Sequence, residues 1–115
     1  MTANAPRAPR APRAPRHLQE PGKDLWRRVV TVYGLEEHHL AVLEAACVAR
    51  DRMEQARLTV EAEGLTASTR DGIKTHPAVT IERDSRTAML RALRELGLDI
   101  EDGGRPGRPP SPWGR

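Results

Sequence analysis

The sequence predicts a mainly α-helical protein with a short N-terminal helix, a long antiparallel helical pair joined by a small hairpin or loop, and disordered basic tails. Three observations predict this fold class. Apolar residues recur at helical spacing in three stretches of the central chain. No Pro or Gly interrupts the stretch between Gly34 and Gly64. Both ends are rich in Pro and Arg, a composition that buries too little apolar surface to fold.

With 115 residues, the chain is long enough for one domain at most. We expect a disordered Ala-Pro-Arg-rich tail over residues 1–22, a helical domain over 23–102 and a disordered Gly/Pro/Arg tail over 103–115. The chain has no Phe, one Tyr and two Trp, so Leu, Val, Ala and Met must fill a small core. Self-association would be one way to bury more surface.

The net charge of +3 is unevenly distributed along the chain. Residues 1–23 contain five cations and one carboxylate, residues 103–115 contain three arginines, and residues 24–102 therefore have an excess of four carboxylates. Basic tails on an acidic body favour a polyanionic partner that is bound mainly at the two ends.

The first predicted helix follows Pro21-Gly22, which we interpret as the boundary of the body, with Asp24 as N-cap or first-turn residue. Gly34 is expected to end this helix. Its apolar positions recur at helical spacing and are Leu25, Trp26, Val29, Val30 and Tyr33.

The second helix is predicted from Glu36 to Glu63. A seam of mostly small residues, spaced by alternating fours and threes, would allow close approach of another helix. This seam consists of Val42, Ala46, Ala49, Met53, Ala56 and Val60. The later half, from Asp51, is highly charged, so it either lies in solvent or pairs with neighbouring subunits.

Residues 65–76 predict a small hairpin, because Asp71-Gly72 is a turn signal, with a flexible connector as the alternative. Pro77 is expected to begin the last helix, with His76 or Thr75 at the N-cap. The apolar stripe of this helix consists of Ala78, Ile81, Ser85, Ala88, Met89, Ala92, Leu93 and Leu96, and Gly97 closes the helix.

Arginines in both tails are the predicted DNA-binding residues. A polyproline II conformation of the Ala-Pro-Arg repeats would place successive arginines ~9 Å apart on one side, a spacing that could follow a phosphate backbone. Near the C-terminus, the Arg-Pro-Gly-Arg-Pro segment suggests either a minor-groove hook or a disordered basic tail. The predicted contacts are Arg7, Arg10, Arg13, Arg16, Arg105 and Arg108.

We find no constellation of residues that predicts an enzyme, a cofactor or a metal site. His38 and His39 are adjacent on a helix and would point about 100° apart, which is poor geometry for sharing one metal. Cys47 lies on an apolar helix face and is predicted to be a small buried hydrophobe. The single cysteine, and the lack of an apolar run of membrane-spanning length, predict a soluble cytoplasmic protein without a membrane partner.

The ordered motifs of the body are similar to those of the phage terminase small subunits. The most specific stretches are Leu-Glu-Ala-Ala-Cys at 43–47, Gly-Ile-Lys-Thr-His-Pro at 72–77 and Glu-Leu-Gly-Leu at 95–98. The resemblance covers roughly residues 22–98, and the Asp-Ile-Glu-Asp segment at 99–102 departs from the Thr-Pro turn that often follows in the family.

The resemblance implies a non-catalytic adaptor of viral genome packaging in the host cell cytoplasm, or one encoded by a prophage. Such a protein is expected to assemble into a homo-oligomeric ring, to recognise double-stranded viral DNA and to present it to the large terminase subunit, which is the ATPase and nuclease. The alternative function is a small transcriptional or nucleoid-type regulator without a motor partner. A helix-turn-helix formed by the first helix and the start of the second fits only loosely.

Overall fold

The computed structural model describes residues 11–98, and within them the chain folds into three helices and one hairpin. Helix α2 packs most extensively against α3, and α1 packs against α2. The predicted mainly α architecture, with a long helical pair joined by a hairpin, is confirmed. The elements are α1 (Glu20–Val32), α2 (Glu37–Glu63), β1 (Thr66–Thr69), β2 (Gly72–Thr75) and α3 (Pro77–Glu95).

Helix α1 begins earlier than the sequence predicts. Its N-cap is Gln19 instead of Asp24, and Pro21 lies in the first turn. Proline is well tolerated there, because the first-turn N–H has no intrahelical acceptor in any case. The helix ends at Val32, after which the Tyr33 N–H donates to the Val29 carbonyl at 2.9 Å.

Helix α2 has the predicted length and is closed at both ends by its own residues. The Glu36 carboxylate accepts the backbone N–H of His39, while the His39 ring accepts the Glu36 N–H at 3.2 Å. This reciprocal pair satisfies two of the donors that a helix N-terminus leaves without partners. Gly64 ends the helix with a φ of +93°, a conformation that disfavours any side chain.

Residues 65–76 form a hairpin, which decides between the two predicted alternatives. Strand β1 pairs antiparallel with β2, from Thr66 opposite Thr75 to Thr69 opposite Gly72. Beyond β2, the His76 N–H donates to the Leu65 carbonyl at 2.8 Å and so extends the pairing to the base of the hairpin.

His76 is the N-cap of α3, as one of the two predicted alternatives proposed. Its Nδ1 accepts the Ala78 N–H at 3.0 Å, and its Nε2 lies 2.7 Å from a carboxylate oxygen of Glu63 at the end of α2. One side chain therefore links the last turn of α2 to the first turn of α3.

The hydrophobic core lies at one end of the molecule, between α1, the first half of α2 and the last turns of α3. Its buried members are Leu18, Trp26, Val29, Leu43 and Cys47. The predicted α2 seam is only partly covered, with Ala46, Ala49 and Ala56 buried. The predicted stripe on α3 was wrong in part, because Ile81 and Ala88 are exposed and only Ala78 is fully buried.

Candidate nucleic-acid interface

The second half of the Ala-Pro-Arg segment lies against the helices. The indole Nε1 of Trp26 in α1 donates a hydrogen bond to the Pro12 carbonyl at 2.9 Å. Ala14 packs against the core, and the side chain of Leu18 is only 2% exposed within it. Residues 12–18, which we placed in the N-terminal tail, are therefore attached to the helical domain at both ends.

A buried carboxylate fixes the point where this segment enters α1. Asp51 on α2 is 6% exposed, and its two oxygens accept the backbone N–H groups of Gln19 and Gly22, each at 2.7 Å. These N–H groups belong to the first turn of α1, where a helix has unsatisfied donors and where negative charge is favourable. Asp51 is thus a cap supplied to α1 by a neighbouring helix.

Gly22 is required by this cap. A Cβ at this position would lie 2.7 Å from both an oxygen of Asp51 and the carbonyl of Cys47. The glycine that the sequence suggested as a boundary signal therefore allows α1 to approach α2 closely.

The twelve arginines within residues 11–98 fall into two groups of six, one with and one without a carboxylate within 4 Å among those residues; the second group is Arg13, Arg16, Arg52, Arg70, Arg91 and Arg94. The six arginines that lie within 4 Å of a carboxylate are Arg27, Arg28, Arg50, Arg57, Arg83 and Arg86. The shortest of these contacts joins Arg57 to Glu54 at 2.7 Å, and Arg57 also lies 3.0 Å from Glu61. The hydrogen bond from Arg57 lowers the pKa of Glu54, and the same contact raises the pKa of Arg57.

Only two of the predicted DNA-binding arginines lie within the described residues. Arg13 and Arg16 are exposed, and neither has a carboxylate within 4 Å in the part of the chain that the structure describes. The predicted contacts at Arg7, Arg10, Arg105 and Arg108 lie outside that part.

A cavity of about 270 Å³ lies where the anchored segment meets α2. It is lined by His17, Gln19, Val48, Asp51, Arg52 and Gln55. On the same side, the His17 ring is 2.7 Å from a carboxylate oxygen of Glu44. Arg52 is exposed and, like Arg13 and Arg16, has no carboxylate within 4 Å among residues 11–98.

Sequence reasoning missed Asp51 and Arg52, although a signal for the first was present. Leu43, Cys47 and Asp51 are spaced by four residues, which places them on one face of α2. A buried aspartate on this face needs hydrogen-bond donors for its carboxylate. Here the backbone N–H groups at the start of α1 provide them.

Cys47 is a buried hydrophobe, as the sequence predicted. Its side chain is 0% exposed, and burial, together with the carboxylates of Asp51 and Glu44, raises the pKa of the thiol to about 12. The thiol is therefore protonated at neutral pH and shielded from reagents.

The two adjacent histidines lie closer together than we expected. Their ring centroids are 4.1 Å apart, and ligand atoms of Glu36, His38 and His39 lie within 4.8 Å of one another. The reason is that His39 folds back to cap the start of α2 instead of pointing away from it. In this contact Nδ1 of His39 accepts the backbone N–H of Glu36, and the Glu36 carboxylate accepts the backbone N–H of His39, so the cluster acts as a helix cap.

The fold and this surface define a class: small three-helix proteins with a basic N-terminal arm (residues 1–18), of which residues 12–18 are held against the helices. A model of the family described as phage terminase, small subunit, matches residues 22–111. The chain belongs to this family, and the membership supports a role in phage packaging.

The whole arm lies before the matched region, so its role has to be argued from its own residues. No curated protein and no solved structure matches the chain. Within residues 11–98, none of the helices is long and apolar enough to cross a membrane.

Proposed function

We propose that the protein is an oligomeric, non-catalytic adaptor that binds double-stranded phage DNA and presents it to the large terminase ATPase and nuclease. Membership of the small-subunit family supports the packaging role. The observation that favours direct DNA binding is the attachment of the Ala-Pro-Arg segment to the helical domain, with Arg13 and Arg16 exposed. Arginines without carboxylate partners are available for backbone phosphates.

Exposed apolar side chains support the oligomeric part of the proposal. In the hairpin and at its base, Ile73 is 75% exposed and Leu65 is 66% exposed. A two-stranded hairpin without cover on either face is only marginally stable in water, so a second copy that packs on it would stabilise it. On the helices, Leu58, Ile81 and Leu90 are each about half exposed.

The test of DNA binding is the salt dependence of affinity for a duplex. Each phosphate that the protein neutralises adds about 0.9 to the log–log slope against salt concentration. Replacing Arg7, Arg10, Arg13 and Arg16 with Gln should flatten this slope. Substitution is better than deletion of the arm, because Pro12 and Ala14 contact the domain.

The matched control removes four arginines that already have carboxylate partners, namely Arg27, Arg57, Arg83 and Arg86. This control should keep the slope of the natural protein. An equal slope for the arm variant and the natural protein would exclude the arm from the interface, and an absence of duplex binding would overturn the proposed function itself.

Solution mass and co-purification test the assembly and the partner. Light scattering coupled to size exclusion should show a discrete oligomer, whereas a monomer at micromolar concentration would contradict the ring. Capture of the large terminase subunit by the tagged protein would support the adaptor. Duplex binding without this capture would instead favour a DNA-binding regulator.

A further inference from the structure

We propose that Arg52 on α2 forms, together with Arg13 and Arg16 of the anchored arm, one preformed surface for the phosphate backbone of duplex DNA. The inference deepens the proposed function and rests on it, since it names the surface that the DNA would contact. It adds a residue from the folded domain to a contact that the sequence assigned to the tails alone.

The position of Arg52 on α2 leaves it without a carboxylate partner. Side chains three and four residues apart are neighbours on a helix, and those of Arg52 are Val48, Ala49, Gln55 and Ala56. In contrast, Arg50 and Arg57 on the same helix both lie within 4 Å of Glu54. Of the three arginines of α2, Arg52 is therefore the one that has no carboxylate within 4 Å among residues 11–98. Its charge is available to an external anion.

The arm approaches Arg52 from one side. His17 and Gln19 line the same cavity as Arg52, and Arg16 immediately precedes His17 in the chain. The two nearby carboxylates are already engaged, since Asp51 accepts the N–H groups of Gln19 and Gly22, and Glu44 contacts His17. This engagement weakens the repulsion that the carboxylates would exert on a phosphate.

The arm is held at both ends of the segment that contains Arg13 and Arg16. The Pro12 carbonyl is hydrogen-bonded to Trp26 before this segment, and Leu18 is buried after it. A charged segment that is ordered before binding loses less conformational entropy on association than a free one. Trp26 is therefore a positioning residue for the arm, in addition to being part of the core.

The ligand that fits this surface is a repeating anion without a defined sequence. Three arginines on an exposed surface match backbone phosphates, whereas sequence reading requires side chains directed at base edges in a groove. We expect binding through this surface to depend strongly on salt and weakly on the DNA sequence.

Arg52→Gln tests the contribution of α2, with Arg57→Gln as the matched control on the same helix. Loss of one phosphate contact should reduce the affinity of the natural protein for a random duplex by about fivefold and the salt slope by about 0.9. Arg57→Gln should leave both quantities unchanged, because that arginine is occupied by Glu54 and Glu61. Equal affinities and slopes for the two variants would overturn the assignment of Arg52.

Trp26→Phe tests the positioning of the arm, because phenylalanine keeps a ring in the core but lacks the N–H that binds Pro12. With the natural arm sequence, we expect Trp26→Phe to bind duplex DNA about threefold more weakly than the natural protein, because one net hydrogen bond is lost. In a background with Arg7, Arg10, Arg13 and Arg16 all replaced by Gln, the same substitution should have no effect on affinity. A general loss of structure would weaken binding in both backgrounds and would overturn the positioning role.

Duplex binding by the natural protein distinguishes a failure of this inference from a failure of the proposed function. If it does not bind the duplex, the proposed function is wrong. If it binds, and Arg52→Gln has the same affinity and slope as Arg57→Gln, DNA binding stands but this surface is wrong.

Discussion

The two ends of the molecule differ in how much of their apolar surface the chain itself covers. At the core end, formed by α1, α2 up to Asp51 and the last turns of α3, Leu43 and Cys47 are 0% exposed. At the hairpin end, formed by α2 from Arg52, the hairpin and the first half of α3, the buried side chains are Ala56 and Ala78. One long helix thus passes from a well-packed region into a thinly packed one.

The difference indicates that the two ends have different tasks. The core end contains the contacts that stabilise the fold and hold the arm. The hairpin end presents larger apolar side chains to solvent, which is typical of surfaces that contact another molecule. Stability and assembly should therefore respond to substitutions at opposite ends.

The largest effect is expected from Leu43→Ala at the core end. Removing a fully buried leucine should lower the free energy of unfolding by about 3 kcal/mol, measured by urea denaturation. Leu58→Ala, on the same helix but half exposed at the hairpin end, should cost less than about 1 kcal/mol. Similar losses for the two variants would show that the ends are equally well packed.

Gly22→Ala should have the next largest effect. The added methyl group would meet Asp51 and the Cys47 carbonyl at 2.7 Å, so we expect a loss of about 2 kcal/mol. Gly34→Ala is the control, because nothing lies within 4 Å of a Cβ there. A thermal melt of Gly22→Ala that matches the natural protein would mean that α1 can shift without losing its cap.

The free energy of unfolding should also decrease at alkaline pH, because the thiol of Cys47, buried at the core end, ionises more readily in the unfolded state. Its thiol has a pKa raised from 9.0 to about 12, so the folded state retains a proton that the unfolded state loses first. The free energy of unfolding should therefore decrease as the pH rises through this window, by about 1 kcal/mol per pH unit from this group. Cys47→Ala should be less stable at neutral pH, but its free energy of unfolding should lack the alkaline decrease that the thiol causes. Urea denaturation of both proteins below and above about pH 9 would measure this difference.

The smallest effect on stability is expected from Ile73→Thr at the hairpin end. Because the side chain is 75% exposed, the free energy of unfolding should change by less than about 0.5 kcal/mol. Self-association, measured by sedimentation equilibrium, should nevertheless weaken. Val32→Thr, an equally exposed β-branched position on α1, is the matched control and should leave the mass unchanged.

The order and type of the elements could be predicted from the sequence, because they depend on local patterns. The uninterrupted helical periodicity before Gly64 predicts α2, and the Asp71-Gly72 turn predicts the hairpin. The start of α1 could not be found this way. Pro21-Gly22 has the composition of a boundary, whereas its role is to begin a helix that lies close against Asp51.

The anchored arm could not be predicted because its contacts join residues far apart in the chain. Pro12 and Trp26 are 14 residues apart, and Gln19 and Asp51 are 32 apart. The Ala-Pro-Arg repeat by itself specifies only an extended backbone without internal hydrogen bonds. Similarly, Arg13 and Arg16 could be proposed as DNA contacts from charge alone, whereas the placement of Arg52 beside them depends on where the arm lies.

The hydrogen bond between Trp26 and Pro12 gives the chain an internal fluorophore at the point where the arm is attached. The sequence contains one other tryptophan, Trp113, so a Trp113→Phe variant would have Trp26 as its single indole. Release of the arm would expose this buried ring to water and shift its emission to longer wavelength. Arm release could then be followed in real time, without a dye, while DNA or another subunit is added.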